Sequence, residues 1–434
     1  MLKRKVTEHL KEWKNEKSKK CLVVQGARQV GKTYVIEDFG KNFYEEMVEI
    51  NFKETPEAMN IFSGNLDANT MLMAIKFRYP EKNLEPGKTL LFFDEIQECP
   101  NAITSLKFWA IDDRYDVIAS GSMLGIDYKR PSSYPVGYVD YIKMYGLDFE
   151  EFLWANGITD KMIDELRTSF ESISPVSLGI HESMMKYFKL YMAIGGMPEV
   201  VNQYITSKDF RNVDKIQHEL LQGYLYDIAH YATPDDKIKA EKCFLSLTKQ
   251  LLDKENHKFQ YKEIEHGARA QKYYSSIEWL IRADIVSLCR AVTSLSYDLD
   301  DYSRDDFFRA YTTDLSLLIA MKDFSLKQNI IENTLQGNTK GGIYECALAD
   351  ILIKKGYKLY FYKNETTKRE LDFLIQKNGK VIPIEIKGGN QRANSLISIM
   401  KKNSFSKAYK LVDGNVGSYD NNLITIPHYM AMFI

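Results

Sequence analysis

Gly26 and Gly31 enclose four residues and run directly into Lys32 and Thr33, in the stretch "CLVVQGARQVGKTYVI". Glycine at both ends lets backbone N–H groups close around an anion and take dihedral angles other residues avoid. A lysine placed next reaches the β- and γ-phosphates of a nucleotide, and the neighbouring hydroxyl ligates Mg²⁺. The helix that starts here adds a favourable field for the anion. Gly26, Ala27, Arg28, Gln29, Val30, Gly31, Lys32, Thr33 and Tyr34 are therefore expected to bind ATP with Mg²⁺. A second run, "TLLFFDEIQ", is apolar up to Asp94 and Glu95, as a buried parallel strand ending in acid would be. Asp94 is expected to complete the metal shell beside Thr33, and Glu95 to orient a water for attack on the γ-phosphate. "YDVIASGS" ends in Ser120 and Ser122, which either contact the γ-phosphate or the attacking water, or cap the next turn. Catalysis would then fall to Lys32, Glu95 and Ser122.

A separate group of chemical residues lies in "ELDFLIQKNGKVIPIEIKGG", residues 370 to 389. Asn378-Gly379 between alternating runs predicts a hairpin with a two-residue type I′ turn. Its register sets Lys377 against Lys380, Asp372 against Glu385 and Glu370 against Lys387. The Asp372–Glu385 pair is of the non-hydrogen-bonded kind, with Cα atoms about 4.5 Å apart, a costly place for two like charges. Leu371, Phe373 and Ile375 are expected to share a buried face with Ile382, Ile384 and Ile386. Asp372, Glu385 and Lys387 would share the other face, where Glu345 from a helix upstream could join them. Three carboxylates with a lysine suit a divalent-metal nuclease, in which the metal stabilises phosphate charge and activates water. Two other readings stand beside it: an exposed salt-bridge ladder in which Lys387 neutralises Glu370 and Glu385, and a nuclease-like face used only for binding.

The elements that must position these residues follow from pattern. The first ~150 residues alternate strand and helix, which implies a largely parallel sheet covered by helices. "KCLVVQ", "EEMVEINF", "KTLLFFDE" and "YDVIASGS" read as its strands. Helical pattern continues to about 235, with a break at Gly-Gly-Met-Pro. "YKEIEHGARAQKYYSSIEWLIRADIVSLCRAV" reads as helix, glycine turn, helix and strand, the outline of a winged helix-turn-helix. Its second helix, Ala268 to Arg282, is only modestly basic, so packing or protein contact competes evenly with DNA binding. From about 305 come a helix near 341 to 355, the strand "YKLYFYKN", the hairpin, a helix near 392 to 403 and a last strand "KAYKLVDG".

Composition narrows the function classes. The 434 residues carry a net charge of −1, so nucleic acid or acidic membrane is attracted only by local patches. One basic stretch, "MLKRKVTEHLKEWKNEKSKK", has apolar Leu2, Val6, Leu10 and Trp13 near helical spacing and reads as an amphipathic helix. Five scattered cysteines fit a reducing compartment and disfavour a disulfide framework or zinc site. No apolar run approaches membrane-spanning length, so a cytoplasmic protein without membrane contact is expected.

"GARQVGKT", "FFDEIQ", "SGSMLG", "PVGYVDYIKMYGLDFEEFL", "GGMPEVV", "TTDLSLL", "GGIYECALADIL", "RELDFLI" and "IPIEIKGGN" together resemble the prokaryotic AAA-type ATPases that carry a conserved C-terminal domain of unknown function. The resemblance implies an α/β chain with a P-loop NTPase core at 1–150, a helical lid region at 151–235, a winged-helix-like module at 236–304 and a restriction-endonuclease-like domain at 305–434. It implies ATP hydrolysis coupled to a conformational cycle with a DNA-linked role. The alternative is an ATP-dependent switch that binds a protein partner, or further copies of itself, with a nuclease-like domain that does not cleave. Two departures stand out: Tyr138 occupies a position that is basic in many relatives, and Gly146 one that is usually proline. If that basic residue senses the γ-phosphate in relatives, Arg130 or Arg114 would have to serve here.

Overall fold

The computed structural model describes residues 2–16, 20–122, 133–232, 236–252, 258–364, 366–367, 369–388, 392–418 and 422–434. The chain forms two units, one of Lys3–Gly146 with Arg282–Asp284, the other of Leu147–Ile281 with Ile285–Ile434.

In the N-terminal unit the four apolar runs become β1 (Cys21–Gln25), β2 (Glu46–Asn51), β3 (Thr89–Asp94) and β4 (Asp116–Gly121), and a fifth strand, β5 (Val139–Lys143), joins them. All neighbours are parallel, in the order β2-β3-β4-β1-β5. β3 is buried along its whole length, as helices on both faces require. Phe93 packs against Phe52, Phe62 and Trp109 at ring separations of 5.3 to 6.3 Å. Burying each such ring stabilises by about 1.5–3 kcal/mol, so the strand that carries the acidic pair is firmly anchored. The basic start forms the helix Val6–Lys14 with Val6, Leu10 and Trp13 buried, as its spacing predicts.

The second unit begins with five helices, Phe149–Ala155, Asp160–Glu171, Leu178–Ile194, Pro198–Ser207 and Phe210–Tyr231. The Gly-Gly-Met-Pro break falls where expected, with Gly195 at φ 77° and Pro198 opening the next helix. Its sheet has eight strands: β6 (Val286–Val292), β7 (Ser303–Thr312), β8 (Leu359–Lys363), β9 (Glu370–Lys377), β10 (Lys380–Ile386), β11 (Ala408–Val412), β12 (Gly417–Ser418) and β13 (Leu423–Pro427). Their order is β12-β13-β11-β10-β9-β8-β6-β7.

This topology revises the expected middle module. β6, read as the strand of a winged helix at 236–304, pairs with β7 on one side and β8 on the other. The segment "YKE" forms only a single 3₁₀ turn, Tyr261–Glu263, before the helix Ala270–Arg282. The boundaries at 235 and 304 therefore do not separate compact bodies. The physical reason is edge satisfaction: β6 gains backbone partners on both sides only by entering the larger sheet.

The hairpin forms as its turn residues predict. Asn378 and Gly379 sit at φ 50° and 70°, the pair of left-handed conformations a type I′ turn needs. Lys377 faces Lys380, and the ladder runs to Phe373 opposite Ile384. The expected division into one buried and one open face does not hold. Leu374 and Ile375 are both fully buried, and so is Glu385. Helix Asn394–Met400 packs against β9, and helix Gly337–Lys354 against β10.

Candidate functional site

The sheet order of the N-terminal unit explains how the loop and the acidic pair meet. β4 lies between β1 and β3, so the carboxyl ends of all three strands open on one edge. Gly26 and Lys32 follow β1, Asp94 ends β3 and Ser120 lies at the end of β4. Gly26 is forced by close approach, since a Cβ there would stand 2.1 Å from the Met144 carbonyl oxygen. Gly31 precedes the helix Lys32–Phe43 at φ 92°, and Gln29 also takes the left-handed region at φ 62°. Arg4 fastens the loop from behind: Nη1 donates to the Val30 carbonyl at 3.0 Å and Nη2 to the Tyr145 carbonyl at 2.6 Å. Sequence reasoning missed Arg4, because a basic run beside an amphipathic helix reads as solvated surface.

Lys32 is buried, and its Nζ donates to the carbonyls of Gly26 and Ala27 at 3.1 and 2.8 Å. Burial lowers its pKa, while Glu95 and Asp94 pull it back up. The Thr33 hydroxyl donates to Asp94 Oδ2 at 2.9 Å, Asn51 Nδ2 donates to the same oxygen at 3.1 Å, and the Ser120 hydroxyl donates to Oδ1. Burial raises the Asp94 carboxyl above its ordinary range, and the Ser120 and Thr33 hydroxyls oppose that rise. Asn51 was not anticipated; it lies opposite Asp94 across β2 and β3, a register the sequence alone does not reveal.

Glu95 stands just past β3 at φ 51°, held by a hydrogen bond from Gln97 Nε2. Ser122 is buried one residue beyond β4. A Cβ on Gly121 would meet Gln97 Oε1 at 2.5 Å, so the two acidic-edge segments touch there. Tyr34 is exposed on the first turn of the helix. A hydroxyl and a carboxylate side by side are the donor set a Mg²⁺ with phosphate partners requires, so Thr33 and Asp94 fit that ion.

The suggested sensors fare differently. Arg114 precedes β4 and is taken up by Asp112 and Asn69, and Tyr138 precedes β5. Both therefore lie at the amino edge of the parallel sheet, a strand length or roughly 15–20 Å from the phosphate loop. Neither reaches a γ-phosphate held there. Arg130 lies outside the described residues.

The C-terminal carboxylates gather in a cleft of about 210 Å³, lined by Arg309, Glu345, Glu370, Asp372, Glu385 and Lys387 among others. Asp372 and Glu385 are neighbours but not the expected ladder pair: the β9–β10 pairing ends at Phe373 and Ile384, Asp372 Oδ2 accepts from the Ile386 N–H at 2.8 Å, and Asp372 raises the pKa of the Glu385 carboxyl. Glu385 is pushed up to about 8, by burial first and by Asp372 second, against the pull of Lys387 at 2.7 Å. A proton held by Glu385 thus relieves the like-charge pair at neutral pH.

Glu345 does not complete a metal trio. Its Oε1 accepts from Arg309 Nη1 at 3.0 Å and from the Tyr311 hydroxyl at 2.7 Å. Among the described residues no group of three or more His, Cys, Asp or Glu is arranged to hold a metal ion. The expected metal set of Glu345, Asp372 and Glu385 with Lys387 is corrected on that ground: an arginine has taken the third carboxylate. Glu370 turns to Arg309 and Lys363, while Lys387 lies past the end of β10 and donates its N–H to the Leu411 carbonyl.

A family model described as an AAA domain matches residues 18–153. Two domains of unknown function match further along, DUF8612 at 185–328 and DUF4143 at 340–429. Among curated proteins no sequence matches. Similar solved structures include AMPPCP-bound DnaA from Aquifex aeolicus, at 10% identity over 64% of this chain and 86% of that one, with TM-score 0.29. The Orc1 protein of Aeropyrum pernix in complex with DNA is 11% identical over 76% and 91%, with TM-score 0.28. A signal-transduction ATPase with a tetratricopeptide repeat sensor, PH0952 from Pyrococcus horikoshii, is 14% identical over 82% and 46%, with TM-score 0.27. Superpositions this loose carry no argument, and the weight rests on the N-terminal match together with the loop, the parallel sheet and the acidic strand end. Residues 18–153 therefore match an AAA domain and have the parallel sheet, glycine loop and acidic strand end of a P-loop nucleotide-binding core, followed by segments that match domains of unknown function.

Proposed function

We propose that the protein is an ATP-driven switch that binds Mg·ATP at the loop Gly26–Thr33 and hydrolyses it on the Asp94–Glu95 edge. The observation that carries this reading is the Thr33 hydroxyl at 2.9 Å from Asp94 Oδ2, with the Lys32 ammonium folded against the loop carbonyls beside them. Lys32 would leave the Gly26 and Ala27 carbonyls for the β- and γ-phosphates, a move favoured because its burial disfavours an unpaired charge. Thr33 and Asp94 would hold the Mg²⁺, which would offset the charge of the phosphates. Glu95, turned out of the strand by its left-handed backbone and steadied by Gln97, would accept hydrogen bonding from the attacking water. Ser120, hydrogen-bonded to Asp94, and Ser122 just beyond it would contact the γ-phosphate or the attacking water, and their position at the carboxyl end of β4 supports that reading over the turn-cap one.

The expected DNA-linked role is one arm of this proposal and a protein-directed role the other. Two observations favour the protein-directed arm. In the middle region Glu265 takes both Lys242, at 2.6 Å, and Lys272, at 2.8 Å, so the helix Ala270–Arg282 spends a cation internally. In the C-terminal cleft Arg309 is likewise committed to carboxylates. The test measures ATP affinity and turnover in the full chain. Lys32→Ala is expected to abolish both, and Glu95→Gln to keep affinity while losing about 10²–10⁴-fold in turnover, the usual worth of a general base. Unchanged turnover in either variant overturns the assignment. Nucleic-acid affinity that falls steeply with added salt would favour the DNA-linked arm, because neutralised phosphates release counterions.

A further inference from the structure

The nuclease-like reading of the hairpin implies a divalent metal, and the residues present do not fit one. We infer that Arg309 serves as the resident cation of the C-terminal cleft, standing where a carboxylate-bound metal would stand, and that the cleft takes up no divalent ion while Arg309 is there. This does not depend on the ATPase reading, because none of its residues lies in the N-terminal unit.

The geometry is specific. Arg309 is 7% exposed, on β7. Its Nη1 donates to Glu345 Oε1 at 3.0 Å and to the Asp372 carbonyl at 3.3 Å, and its Nη2 pairs with Glu370. One planar fork therefore joins the helix Gly337–Lys354 to two residues of β9. The Phe361 ring lies 4.4 Å from the guanidinium carbon, which fixes the plane of the fork. Tyr311, two residues on along β7, adds a second donor to the same Glu345 oxygen at 2.7 Å. Glu370 has Lys363 on its other oxygen at 3.8 Å, and Glu385 has Lys387.

The consequence follows from charge and from donor supply. A metal in such a cleft needs several oxygens turned to one point, with their charge uncompensated. Here Glu345 and Glu370 are offset by a guanidinium that cannot lose its proton together with Lys363, and each turns an oxygen toward the guanidinium. A guanidinium offers hydrogen bonds in one plane and no ligand-exchange site, so it cannot bind and activate a water as a metal does. The cleft accordingly presents a fixed, internally balanced surface and does not cut phosphodiesters.

The test is Mn²⁺ binding by the full-length, nucleotide-free chain, followed by the paramagnetic resonance of free Mn²⁺. Wild type and Asp372→Asn are expected to bind the same number of ions. Arg309→Met, checked by circular dichroism and by unchanged ATP turnover, is expected to gain one ion, and adding Asp372→Asn to it to remove that ion. Arg309→Lys keeps the cation and is expected to gain none. An ion lost from wild type on Asp372→Asn would overturn the inference, as would a folded Arg309→Met variant that gains nothing. Should Arg309→Met fail to fold, the comparison of wild type with Asp372→Asn decides alone: equal uptake supports the inference and lost uptake refutes it.

Discussion

At the scale of single residues, the two clefts handle buried charge in opposite ways. Asp94 is held by hydrogen bonds from hydroxyl and amide groups, which stabilise its charged form and fix its oxygens. Glu385 instead shares a pocket with Asp372 and retains a proton to about pH 8. That shift has a pH signature with a definite sign. A carboxyl whose folded pKa lies above its ordinary 4.5 holds extra proton only in the folded state between the two values. Stability is therefore expected to fall as pH rises from about 4.5 to about 8, with a slope of up to about 1.4 kcal/mol per pH unit from this group. Glu385→Gln should flatten that part of the urea-denaturation profile and be more stable than wild type above pH 8. An identical profile in the variant would mean that Glu385 is not the group titrating.

At the scale of elements, short signals with a strict backbone meaning were the most legible. Asn378-Gly379 named the turn, and the turn fixed the pairing from Lys377–Lys380 to Phe373–Ile384, next to which Asp372 and Glu385 lie. A Cβ at Gly379 would stand 2.8 Å from the Tyr297 ring as well as in a strained conformation. Gly379→Ala is accordingly expected to cost about 1–2 kcal/mol in denaturant unfolding, with ATP turnover unchanged. The phosphate loop was legible for a similar reason, since its glycines answer a local demand. β5 and β7 were not. "VDYIK" is short and alternates polar residues, and "SRDDFFRAYT" opens on four polar ones, so neither looks like a strand until a neighbour pairs with it. Arg309 was hidden by the same fact: an arginine in a polar run reads as surface until long-range pairing carries it to Glu345 and Glu370.

At the scale of the whole molecule, a buried ionic knot explains why the helical region and the eight-stranded sheet form one unit. Lys354 Nζ reaches Asp314 at 2.6 Å, Asp350 at 3.0 Å, and the Tyr191 hydroxyl and Leu147 carbonyl at 3.1 Å each. Asp314 also accepts the Gly196 and Ser316 N–H groups. A Cβ on Gly196 would fall 2.0 Å from the Leu147 carbonyl oxygen, so "GGMPEVV", "TTDLSLL" and the end of "LADILIK" are fitted to one another. No local pattern announces such a knot, which is why boundaries at 235 and 304 looked reasonable from the sequence. Lys354→Met leaves two buried carboxylates uncompensated and is expected to cost about 3–5 kcal/mol. In denaturant the transition of this unit should move as a whole. If only a helical subset shifts, the single-unit description is wrong.

The account turns on one convergence, that of the loop lysine and threonine with the strand-end aspartate on a single metal-bound nucleotide. Its most direct measurement is the affinity of a fluorescent ATP analogue with and without Mg²⁺, in wild type and in Asp94→Asn. Wild-type affinity is predicted to rise on adding Mg²⁺, and that rise is predicted to vanish in Asp94→Asn while metal-free binding persists. An Asp94→Asn chain that still gains the full Mg²⁺ increment would contradict the account.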